Sequence, residues 1–223
     1  LRTPTPTKPD RARRTDMSAL PYWRTAGAYF FYFAYLGAFA PYFSLYLDSI
    51  GIGAAGIGAI MALPQLVRIV APHLWGWLAD RGGRNMRVAR TGGIAGTAAF
   101  CMLFAGTRFE AVFAVVLAMS FFLSASLPLL ETNTLGHLGA HHGRYGRLRI
   151  WGSLGFVAAV TLIGYALDVW PVGALLWIML GVLVVSSSLL LSVPEAPRAA
   201  HDGDTSPLGR ILRRAPVMAL FAA

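Results

Sequence analysis

The chain is poor in charge and almost without cysteine: 13% of its 223 residues are charged, and Cys101 is the single thiol. A soluble domain carries about 25% charge. Half that proportion leaves too little polar surface to cover a globule in water. One cysteine excludes an intrachain disulfide, and its place inside an apolar run reads as a small core side chain. Metal chemistry is equally thin. His137 and His141 have the spacing of two ligands on a helix, but no carboxylate cluster joins them, and Gly136, Gly139 and Gly143 favour a loop there. No metal and no cofactor are expected. The G-x-S-x-G spacing of a nucleophile elbow is missing around Ser153.

Long apolar runs are what the chain does have. Hydrophobic residues make up 56% of it and the mean hydropathy is +0.58. Runs at 25–47, 56–79, 88–106, 111–130, 150–167 and 171–193 are each close to the ~20 residues that cross a bilayer as a helix. The expected fold is therefore an all-α integral membrane bundle of six helices. Residues 1–24 read as a basic, proline-rich, disordered tail. Met17 reads as a natural start, and Arg13-Arg14 as a poor twin-arginine signal. Residues 194–214 read as a linker, and 215–223 as the opening of a seventh helix cut off by the chain end, which points to a fragment.

The net charge of +9 raises the question of nucleic acid, and the distribution answers it. All of the 19 basic residues except Arg68 and Arg108 lie before the first run or in alternate loops, at 81–90, 144–149 and 198–214. Basic residues gather on the cytoplasmic side of membrane helices, so both ends are placed in the cytoplasm and no nucleic-acid partner is implied. A plasma-membrane, multi-pass location follows.

Three groups of residues carry candidate chemistry. Glu131 and Arg149 stand nine residues either side of Ala140 in a helical hairpin, at similar depth, so they can pair. An ionisable group near the membrane centre costs on the order of 3 kcal/mol, and pairing relieves it. The pair is either a substrate site or an interfacial salt bridge. Arg68 lies within the second run, which holds no acid to neutralise it until Asp80, with Gln65 and Pro72 on the same face. That face must meet water, protein or an anion. Arg68 suits a carboxylate substrate or an acidic residue of a partner bundle equally well. The aromatics Tyr32, Phe39 and Tyr46 recur every seven residues, with Tyr35 and Tyr42 beside them. Such a stripe is more often packing than pocket; Tyr35 is the candidate contact.

The loop Gly76-Trp77-Leu78-Ala79-Asp80-Arg81-Gly82-Gly83-Arg84 resembles the G-x-L-A-D-R-x-G-R signature of the major facilitator superfamily. Gly76 would admit a neighbouring helix and Asp80 would pair near a helix end. The resemblance implies that Gly76, Asp80, Arg81, Gly83 and Arg84 latch one state of a transport cycle. It also implies two inverted three-helix repeats, half of a 12-helix fold, whose other six helices would be the partner. A hint of repetition is present, with Pro41 and Pro128 each four residues after a small residue. The segments around Glu131 and Arg149 resemble the lactose permease-like proton symporters, in which the matching residues bind substrate. Phe156, two turns past Arg149, stands where that branch has a tryptophan stacked on sugar. The stretch Leu63-Pro64-Gln65-Leu66-Val67-Arg68-Ile69-Val70-Ala71-Pro72 resembles the phenylpropionate permease-like branch. The G-P-x-x-G-G element of drug antiporters is absent from the fifth run, which leans towards symport.

The expectation is a proton-coupled importer of a small organic solute, an aromatic carboxylate or a sugar or nucleoside, not an enzyme. An exporter is the alternative. An intramembrane hydrolase using Ser153 with His73 or His137, and a non-transporting sensor on the same scaffold, are weaker ones.

Overall fold

The structure, a computed structural model, describes residues 21–139 and 142–196. The N-terminal tail, Met17, His141 and the seventh helix expected at 215–223 lie outside the described residues. Within them the chain forms α1 (Tyr22–Ser49), α2 (Ala54–Gly82), α3 (Asn85–Cys101), α4 (Phe109–Leu123), α5 (Ser126–Leu138), α6 (Tyr145–Val169) and α7 (Ala174–Ser192). Among the described residues, six spans are long and apolar enough to cross a membrane. The fourth, Phe109–Leu138, is built from α4 and α5 with a break between them.

Boundaries differ from the apolar runs in an instructive way. Helix α1 starts at Tyr22, because the Thr25 N–H bonds back to the Pro21 carbonyl at 3.0 Å. Helix α6 starts at Tyr145, so Arg149 stands a full turn inside a helix and not at its border. Charged residues end an apolar run without ending the helix that carries it.

The packing is that of a repeat. Helix α1 lies chiefly on α6 and α7; α4 and α5 lie chiefly on α2 and α3; α3 and α7 meet between them. Exchanging the first three spans with the last three leaves this pattern unchanged. The two units run in opposite directions through the bundle, so the repeats are inverted. Pro21 and Ala196 finish at one end, where Arg24 reaches the Ser192 carbonyl at 3.3 Å. That end carries Arg81, Arg84, Arg87, Arg144 and Arg147; the opposite end has Asp48, Glu110 and Asp168 beside its lone Arg108.

Small residues set the closest approaches. A Cβ on Gly92 would stand 2.7 Å from the Phe122 carbonyl oxygen, which brings α3 onto α4 backbone to backbone. Cys101 is exposed, against its expected place in the core. The buried stripe of α3 runs through Met86, Ala89, Gly93, Gly96 and Phe100, and one residue more turns the side chain about 100° off it. Helices α2 and α6 bury the smallest share of their residues. Their outer faces present Leu66, Ile69, Val70, Val157 and Leu162, each at least 60% exposed.

Candidate functional site

The break in the fourth span prepares the site. Pro128 has no N–H to offer the Ser124 carbonyl, and the Ala125 N–H turns to the Phe122 carbonyl at 3.2 Å. The Phe121 carbonyl thereby loses its ordinary helical partner. The indole Nε1 of Trp75 fills that place from α2 at 2.9 Å, and the Ser124 hydroxyl adds a bond of 2.7 Å. The corresponding Pro41 sits within an unbroken α1, so the two repeats differ here.

Beyond the break, α5 carries Glu131 and Thr134 against α1 and α6. The hydroxyl of Tyr145 donates to Glu131 Oε1 at 3.0 Å, and Arg149 Nε lies 3.8 Å from the same oxygen. The expected pairing of Glu131 with Arg149 is thus present in geometry, but as an ion pair beyond hydrogen-bond length. The tyrosine is the closer partner. Both charged side chains are about one-third exposed, at 34% and 36%, so water screens their attraction. The Arg149 guanidinium lies 4.1 Å from the centre of the Phe33 ring. Gly152 makes this stack feasible, since a Cβ there would stand 2.7 Å from Phe33 and 3.0 Å from Arg149 Nη1. Tyr29, fully buried, donates to Thr134 Oγ1 at 3.4 Å and joins α1 to α5 one turn below.

Depth follows from helix rise. Glu131 is about 10 Å from the end of α5 and Arg149 about 6 Å from the start of α6, which places the pair in the half of the bundle nearer the basic end. Phe156 lies two turns further along the same face of α6 and is 37% exposed. Arg68 is exposed on α2, with no hydrogen bond or ion pair among the described residues. Tyr32, on α1, lies within electrostatic reach of both Arg68 and Glu131.

Other candidates fall elsewhere. Tyr35 is 6% exposed and packs with Phe39 in the apolar core, ring centres 5.9 Å apart. It is a packing residue of the bundle, because its turn of α1 faces inward. No helix of this bundle closes on Gly76: a Cβ there would meet nothing within 4 Å among the described residues. The remainder of that loop is well formed. Gly83 takes the left-handed conformation at φ 58°, which favours glycine, and closes α2 with its N–H on the Asp80 carbonyl at 3.3 Å. Arg81 lies 4.0 Å over the Trp77 ring, while Asp80 and Arg84 are exposed. No hydrogen bond joins Ser153 to His73 or His137 among the described residues; His137 Nδ1 pairs instead with its own helix at the Asn133 carbonyl, 3.0 Å away. The described residues contain no metal-binding cluster.

Sequence reasoning missed Phe33 and Tyr145, whose roles depend on contacts between helices. It also missed a clasp at the basic end. Glu195 accepts the Met86 N–H at the start of α3 with both oxygens at 3.1 Å, and Arg90 holds the Val193 carbonyl at 2.6 Å. Asn133, 1% exposed, donates to the Pro194 carbonyl at 3.0 Å and accepts the Ala196 N–H at 2.7 Å. The Pro-Glu pair at 194–195 was the available signal.

Comparison with known proteins agrees with this architecture. The chain is 31% identical over 174 residues to the maltose permease of Geobacillus stearothermophilus, covering 77% of this chain and 44% of the permease. It is 24% identical over 180 residues to the probable 3-phenylpropionic acid transporter of Escherichia coli K12, covering 80% of this chain and 47% of that protein. The fold matches the crystal structure of the nucleoside transporter NupG (D323A mutant) with a TM-score of 0.74 at 22% identity, over 90% of this chain and 50% of that one. The chain spans about half the length of the relatives it matches. The description of the MFS_1 like family fits residues 22–222, and the chain belongs to that family, within the major facilitator superfamily of membrane transporters.

Proposed function

We propose that the full-length protein carries a small organic solute across the plasma membrane by alternating access, coupled to protons and directed inward. Solute would bind between this bundle and a second six-helix bundle covering the open faces of α2 and α6. The basic end would face the cytoplasm, as the distribution of arginines favours.

One observation carries the reading: a carboxylate, a guanidinium and a phenol converge at Glu131, Arg149 and Tyr145, one-third exposed, inside a membrane helix pair. Such groups are costly in lipid and are retained where solute or ions pass. Arg68, exposed on α2, adds a second cation, and Phe156, exposed on α6, an apolar surface. Two cations against one carboxylate favour an acidic solute with a ring, for which the guanidinium fork suits a carboxylate. The relatives named for maltose and 3-phenylpropionic acid, and the fold relative named for nucleosides, set the solutes to try first.

The test is uptake of 3-phenylpropionate, maltose and uridine into proteoliposomes holding the full-length protein under an inward proton gradient. Accumulation of one of them, abolished by Arg149→Gln and uncoupled from the gradient by Glu131→Gln, is the expected result. Undiminished flux in both variants would remove the site. Flux only against the gradient would make the protein an exporter.

A further inference from the structure

Tyr29 is fully buried within the bundle, yet its side chain ends in a hydroxyl. It shares an apolar cluster with Leu130 and Leu148, so its surroundings are set inside this bundle, whatever covers the open faces of α2 and α6. It stands about 10 Å into α1, at the depth of Glu131. A buried hydroxyl is costly unless it is bonded, and phenylalanine would fill the place without that cost.

Its neighbours form a chain. The Tyr29 hydroxyl donates to Thr134 Oγ1 at 3.4 Å, and Thr134 Oγ1 donates to the Leu130 carbonyl at 2.7 Å. On its other side, within hydrogen-bonding reach, lies the Tyr145 hydroxyl, which donates to Glu131 Oε1 at 3.0 Å. Three hydroxyls thus run from a carboxylate to a backbone carbonyl. The carbonyl end only accepts, so no proton passes beyond it and the chain is not a conduit. It can, however, reverse. Each hydroxyl offers one hydrogen and accepts another. While Glu131 is ionised, it accepts from Tyr145. Once Glu131 takes a proton from water at its exposed edge, its own O–H can donate to Tyr145 Oη. The Tyr145 hydrogen then rotates to Tyr29 Oη, whose own hydrogen already lies on Thr134. Neither state strands a hydroxyl. Among the described residues, the titratable groups facing Glu131 are Arg149 and Tyr145 from α6 and Tyr29 and Tyr32 from α1; Arg90, on α3, is engaged with the Leu190 and Val193 carbonyls, and Arg68, on α2, acts on Tyr32.

We propose that Tyr29 is a positioning residue for proton coupling: it receives the Tyr145 hydrogen when Glu131 is protonated, and so lets the carboxyl load and release its proton without orphaning a hydroxyl. The assignment rests on Glu131 being the group that carries the proton. Phenylalanine at position 29 leaves the Glu131 and Tyr145 hydrogens facing one another, with no acceptor behind Tyr145. The protonated state then loses one hydrogen bond, while the bond of Tyr145 to ionised Glu131 is kept.

The test uses the full-length protein in proteoliposomes, with whichever of 3-phenylpropionate, maltose and uridine the wild type accumulates. Tyr29→Phe should slow gradient-driven uptake about fivefold, the factor for one neutral hydrogen bond. Exchange of labelled for unlabelled solute without a gradient needs no release of the proton, and should stay close to the wild-type rate. Glu131→Gln has no proton to exchange, so adding Tyr29→Phe to it should slow uptake no further. Tyr46→Phe, which removes a hydroxyl from a buried tyrosine in the other cluster of α1, should match the wild type in both assays. Equal gradient-driven uptake by Tyr29→Phe and the wild type would overturn the proposal, since water would then serve Tyr145 as well. So would equal slowing of uptake and exchange, the mark of a purely structural hydroxyl, or a further loss on the Glu131→Gln background. A wild type that accumulates none of the three solutes under the gradient would instead remove the transport reading, and the proposal with it.

Discussion

A side-chain carbon on Gly155 would overlap the backbone carbonyl oxygen of Phe30, so α6 and α1 meet backbone to backbone. The contact is reciprocated one layer along, where a Cβ on Gly37 would stand 2.6 Å from the Phe156 carbonyl oxygen. These glycines fix the spacing that slides Phe33 beneath Arg149. The site therefore depends on residues that carry no side chain at all.

Replacing Gly155 by alanine should accordingly cost about 1–3 kcal/mol, the range for forced overpacking. The readout is the melting temperature of the purified full-length protein in detergent. Gly181→Ala is the control, because a Cβ there meets nothing within 4 Å. Its melting temperature should stay level or rise slightly. Equal behaviour of the two variants would mean that α1 and α6 stand further apart.

Tyr145→Phe probes the closer of Glu131's two partners. Removing the hydroxyl deletes the 3.0 Å hydrogen bond and leaves only the ion pair at 3.8 Å. A carboxylate that is one-third exposed can recruit water, so the fold should tolerate the change. Solute half-saturation in the proteoliposome assay should rise several-fold, with the melting temperature unchanged. A change of stability alone would assign Tyr145 to packing.

The apolar runs already carried the six spans, and an evenly placed hairpin already carried the pairing of Glu131 with Arg149. Both are local: they depend on length, spacing and the cost of charge in lipid. What escaped were contacts between units distant in sequence. Nothing near Phe33 marks it as the surface under Arg149, 116 residues away. Tyr32 and Tyr35 stand three residues apart, only about 60° from one another around α1, so spacing alone does not separate their surroundings. Tyr35 is buried in the core with Phe39, while Tyr32 is half-buried and within electrostatic reach of Arg68 and Glu131. Pro41 and Pro128 look equivalent in the sequence, yet only the fourth span breaks, while α1 runs unbroken through its proline.

That break yields a third prediction. Trp75→Phe keeps the aromatic contact with Phe121 but removes the donor to its carbonyl, leaving the Ser124 hydroxyl as the remaining partner. One neutral hydrogen bond is worth about 0.5–1.5 kcal/mol. Trp75→Ala loses the packed ring as well and should cost about 3–5 kcal/mol. A melting-temperature loss in Trp75→Ala at least twice that in Trp75→Phe would support this division. Equal losses would put the whole effect on the hydrogen bond.

Asn133 offers the sharpest test of the clasp at the basic end. Its side chain is buried and uses one donor and its acceptor on the segment after α7, bonding the Pro194 carbonyl and the Ala196 N–H. Substitution by leucine fills similar volume and strands both backbone groups. Each orphaned group costs about 1–3 kcal/mol where water cannot reach it. Glu195→Gln keeps the acceptor on the Met86 N–H and loses only its charge at the start of α3, worth about 0.3–1 kcal/mol. Asn133→Leu should therefore be the more destabilising by melting temperature, and should raise amide exchange at Ala196. Should Glu195→Gln prove the worse, the charge and not the amide would be what holds this segment against the bundle.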